Sequence, residues 1–136
     1  MNNKAPLALM SQLLMVLFFA LAAAICLQAF AKSETISQNS ANRDAAVLCA
    51  QNAAETLKST HGDAQAAAKI LGGTVQNGVW TIAYDADWQQ QETGSFRLEA
   101  VRTEAEPGLG MATIIVWNAQ GTELFSMTCA WQEVLT

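Results

Sequence analysis

The chain has 136 residues, seven Lys or Arg against twelve Asp or Glu, a formal net charge of −5 and three cysteines. That length suits one small domain plus one further segment. With Lys4 set aside, six basic residues face all twelve acidic ones from residue 32 onward, and so acidic a surface repels phosphate backbones and anionic headgroups, which argues against nucleic acid as a partner.

Residues 1–6 (MNNKAP) are a short polar start whose lysine favours a cytoplasmic location. From residue 7 to 31 there is no charge, and only Ser11, Gln12 and Gln28 interrupt the apolar run. About 20 apolar residues in a helix span the roughly 30 Å hydrocarbon core of a bilayer, so this stretch reads as a transmembrane helix with membrane lipid around it. A second reading is a secretory signal peptide, because Ala29-Phe30-Ala31 has the A-x-A form of a signal peptidase site. The run is longer than a usual signal core, and no Pro or Gly breaks it ahead of that site; both points favour an uncleaved anchor with the rest of the chain extracytoplasmic.

Residues 32–44 are polar and read either as a helical stalk or as a linker. In 45–58, Val47, Ala50, Ala54 and Leu57 follow a helical spacing with Ala46 and Ala53 beside them, which predicts an amphipathic helix with one small-residue face to bury. Ser59 to Gly62 end it, with His61 an ordinary turn residue. Asp63 caps a short helix over 64–71 that Gly72-Gly73 stops. The period then changes to two. Asn77-Gly78 turns a hairpin between 74–76 and 79–84, and further strands are predicted at 96–100, 112–117 and around Phe125, Met127, Cys129 and Trp131. The expected domain, residues 45–136, is α+β: an antiparallel meander of four to five strands with the amphipathic helix over its apolar face.

No catalytic constellation stands out. His61 is the single histidine, no nucleophile elbow is present, and the glycine pairs match no phosphate-binding motif. Asp85, Asp87 and Glu92 cluster in a polar loop but lack the ligand order and glycine of an EF-hand. Cys49 and Cys129 read either as two buried thiols or as a disulfide. The expectation is a non-enzyme without cofactor, metal or small-molecule substrate. Trp88, alone among Asp and Gln in its loop, is the tryptophan assigned to a possible partner contact.

An apolar N-terminal helix, an amphipathic continuation and an antiparallel sheet together resemble the layout of type IV pilins and type II secretion pseudopilins. In 7–14 (LALMSQLL), Leu7 stands where the first mature residue of that family would be. Pro6 replaces the family's cleavage-site Gly, and Ser11 replaces its Glu. The resemblance implies a minor pilin-like subunit of a type IV pilus, type II secretion or DNA-uptake apparatus, with other pilin-like subunits as partners. Packing between such helices favours small and polar positions, here Ser11, Gln12, Ala20, Ala23 and Ala24. The alternative is a membrane-tethered or secreted binding domain.

Overall fold

The computed structural model describes residues 4–103 and 106–133; the first residues of the polar start and the end of the 45–136 domain lie outside them. The chain divides into two compact units, Met1–Ser40 and Ala41–Thr136. It is α+β, with helices α1 (Lys4–Ser59) and α2 (Ala64–Leu71). The strands are β1 (Thr74–Gln76), β2 (Val79–Tyr84), β3 (Gln90–Gln91), β4 (Phe96–Thr103), β5 (Leu109–Trp117) and β6 (Glu123–Gln132). Residues 32–44, read as stalk or linker, are helical throughout.

The sheet is open and antiparallel, with strand order β1-β2-β4-β5-β6. β2 pairs with β4 along the whole of β2, from Val79 to Tyr84. β1 and β3 therefore share β2's other edge, β1 against Val79 to Thr81 and β3 against Ala83 and Tyr84. The short β3 takes the sheet past the four to five strands expected, because the loop of 85–94 folds back for two residue pairs. In the first hairpin Asn77 and Gly78 have φ of 53° and 79°, the pair of positive values that a type I′ turn requires.

The inner face gathers Trp80, Ile82 and Tyr84 from β2, Phe96, Leu98 and Ala100 from β4, and Ala112, Ile114 and Val116 from β5. Cys129 and Trp131 of β6 complete it. Bulk comes from the sheet, while α1 contributes Ala46, Ala50, Ala53 and Ala54, with Leu57 as its one large buried side chain. Small side chains on the helix thus share the core with large ones on the sheet. The buried stripe runs through Ala46 rather than Val47, which is only half-buried.

The end of α1 explains His61. Gly62 N–H donates to Leu57 O (2.8 Å) and His61 N–H to Lys58 O (3.2 Å), with φ of 53° at His61 and 80° at Gly62. This is a Schellman closure in which histidine takes the left-handed position that glycine usually occupies. Asp63 then caps α2 by accepting from Gln65 N (3.1 Å) and Ala66 N (3.2 Å). At the other end of α2, Trp80 Nε1 donates to Gly72 O (2.8 Å) and Gln90 Nε2 to Leu71 O (2.7 Å). Carbonyls that a helix terminus leaves unpaired are thus tied to the sheet.

Candidate functional site on the exposed apolar helix

Of the expected site residues, Ser11, Gln12, Ala20, Ala23 and Ala24 all lie on α1 in the Met1–Ser40 unit, and all are exposed. Within α1 the most apolar 18-residue window has a mean hydropathy of 2.6 and no buried residue, so the helix is long and apolar enough to cross a membrane. Phe18, Phe19 and Phe30 are each 69% exposed or more. Such a surface is stable only when lipid or other apolar helices replace water around it.

Helix geometry sorts the five positions. At about 100° per residue, Ala20, Ala24 and Ala31 fall within about 40° of one another, in a small-xxx-small pattern joined by Leu13 and Leu17. Ser11 lies on the opposite side with Ala22 and Ala29, and Gln12 and Ala23 lie between at about 100–120° from Ser11. The five positions therefore form three stripes and not one surface. Leu17 borders the alanine stripe, whereas Met15 and Phe18 lie opposite it.

Trp88, in the Ala41–Thr136 unit, is engaged within the domain. Its ring stacks on Phe96 (centroids 4.1 Å apart, planes 14°) and tilts against Tyr84 at 5.7 Å. Its Nε1 donates to Asn42 Oδ1 at 3.3 Å. Trp88 has a φ of 61°, held by a loop whose hub is Asp85. Asp85 Oδ1 accepts from Asp87 N (2.9 Å) and Gln89 N (2.9 Å), while Oδ2 accepts from Gln91 Nε2 (3.0 Å). The carboxylate of this D-x-D pair is therefore occupied by its own turn, and among the described residues no three His, Cys, Asp or Glu side chains converge on a metal position.

Cys49 and Cys129 are free thiols. Burial pushes the Cys49 thiol up from its ordinary value, and a hydrogen bond from the Tyr84 hydroxyl lowers it in part. Tyr84 is raised too, by burial first and then by Cys49. Burial also raises Cys129, with Lys58 nearby opposing it. Cys49 and Lys58 stand about 13 Å apart along α1 at 1.5 Å per residue, so the two thiols meet different stretches of the helix.

Sequence reasoning missed this Asn42–Trp88–Tyr84–Cys49 group because its members are 46 residues apart at the extremes of one hydrogen bond. It also missed the far end of the sheet. There Trp131 sits between Gly62 and Gly110, and the Arg102 guanidinium lies 5.7 Å from its ring centroid. Arg102 is also ion-paired with Glu133. A surface cleft of about 500 Å³ beside it is lined by Arg102, Thr103, Glu106 and Glu133. Comparison with protein-family models, with curated proteins and with solved structures finds no match for the chain.

Proposed function

We propose that this chain is a structural, membrane-anchored subunit, similar to a minor pilin or pseudopilin, whose apolar helix packs against the helices of other pilin-like subunits in a pilus, secretion or uptake apparatus. The observation that carries this reading is α1 itself: one unbroken helix, Lys4–Ser59, that begins as an exposed apolar segment and ends as the cover of an antiparallel sheet. A cleaved leader needs no helical continuity with the domain that follows it, whereas an assembly helix does.

The Ala20–Ala24–Ala31 stripe offers close backbone approach to one neighbour. Ser11 and Gln12, on other sides, offer hydrogen bonds worth roughly 0.6–2 kcal/mol each to further neighbours. Packing on more than one side is what a helix inside a bundle requires. Ser11 carries no charge with which to offset a neighbour's terminal amine, so the role that fits is a minor or initiating subunit.

The test is cysteine crosslinking in membranes with partner subunits co-expressed, in a Cys26→Ala background. Cysteine at Ala20 or Ala24 is expected to crosslink to a partner helix several-fold more than cysteine at Leu14 or Leu21, on the side that carries none of the three stripes. Equal or absent crosslinking at all four leaves a solitary anchor and removes the proposal.

A further inference from the structure

β6 is the outermost strand of the sheet, and among the described residues no other strand pairs with its free edge. The two edges differ. The opposite edge is broken into β1, of three residues, and β3, of two, pieces too short to template another chain. β6 has ten residues. A bulge opposite Val116 and Trp117 disturbs its start, and from Phe125 to Trp131 the register against β5 is regular. No Pro, Lys or Arg occurs anywhere between Glu123 and Glu133. These residues, the usual means of keeping an edge strand from pairing, are missing from it. Ser126, Thr128 and Ala130, exposed on the strand, are small and leave its backbone accessible.

We propose that the free edge of β6 receives an extended strand from a different protein, one that is uncharged along its middle and basic at its ends. The backbone N–H and C=O groups of the edge supply the main hydrogen bonds, as in other strand-addition complexes. Charge selects the occupant. Glu123 and Glu133 bracket the uncharged run, Glu133 already ion-paired with Arg102, and from residue 32 onward the chain has twelve acidic against six basic residues. A second copy sets that same acid excess against itself, which like charge disfavours. A strand with basic ends meets the Glu123 carboxylate and an acidic surface instead. This inference is independent of how α1 packs, because it concerns the sheet alone.

The experiment uses the full chain in neutral detergent micelles and three synthetic peptides of about ten residues, a typical upper strand length, alternating Thr and Val. One ends in Lys, one ends in Glu, and one is the Lys-ended peptide N-methylated at alternate amides. The readout is amide hydrogen exchange across β6. The Lys-ended peptide slows exchange there about tenfold or more, and binds about tenfold tighter than the Glu-ended one at low salt, with the gap closing as salt screens it. The N-methylated peptide gives no protection, because one edge of its donors is gone. No protection by the Lys-ended peptide, or equal protection by the Glu-ended one, overturns the proposal. So does protection of β6 that rises with protein concentration in the absence of peptide, which makes the occupant a second copy.

Discussion

Leu57 is the one large side chain that α1 buries, at 3% exposure, among core residues otherwise small on the helix side. Leu57→Ala cuts an isobutyl group to a methyl where the helix cannot easily settle further, since Ala50, Ala53 and Ala54 already touch bottom at 0–3% exposure. The cost of such a truncation is about 2–5 kcal/mol, from lost transfer energy plus the residual cavity. In a unit the size of Ala41–Thr136, each kcal/mol moves the midpoint by about 4–8 °C, so about 3 kcal/mol lowers Tm by about 12–24 °C. Leu48, in the same helix but 62% exposed, is the control, and Leu48→Ala stays within about 0.5 kcal/mol of the parent. Melting of the full chain in detergent, followed by near-ultraviolet dichroism, reads the domain directly because all four tryptophans lie in it. If Leu48→Ala and Leu57→Ala lower Tm equally, or Leu57→Ala leaves it unchanged, α1 does not cover the sheet as described.

Gly110→Ala drives a Cβ into the Trp131 indole, which Gly62 confines from the other side, and is expected to cost about 1–3 kcal/mol in the same melt. Parent-like Tm in that variant contradicts the placement of Trp131. Stability is expected to fall as pH rises through about 9. The unfolded thiols titrate near their ordinary 9.0 and the phenol near 10.0, whereas Cys49, Cys129 and Tyr84 are all raised in the folded chain, so the unfolded state releases protons first. A Tm that holds constant or climbs between pH 8 and 10.5 runs against this. Tyr84→Phe removes the hydrogen bond that lowers Cys49, so the thiol rises further and its alkylation at pH 8 slows; faster alkylation refutes the pairing.

Local signals carried most of the architecture. The Asp63 cap, the Asn77-Gly78 turn and the alternation of Trp80, Ile82 and Tyr84 each act within a few residues, so they are legible without a fold. Val47 misled because its spacing suits the buried stripe as well as Ala46 does, and only the sheet's position decides which one faces it. Trp88 reads as a polar-loop tryptophan because its partners, Asn42 and Phe96, come from other elements. The three-stripe arrangement of Ser11, Gln12 and the alanines follows from helix geometry alone, and needs the helix to be unbroken. The free edge of β6 is invisible in sequence, since strand order decides which strand is last.

The proposed role requires α1 to be kept whole, from its apolar segment into the domain. Intact mass and N-terminal sequence of the chain purified from the membrane fraction test that most directly. A membrane-bound species near 14.6 kDa that retains residues 7–31 is expected. A mature chain that begins at Lys32 and is recovered from the soluble fraction contradicts it.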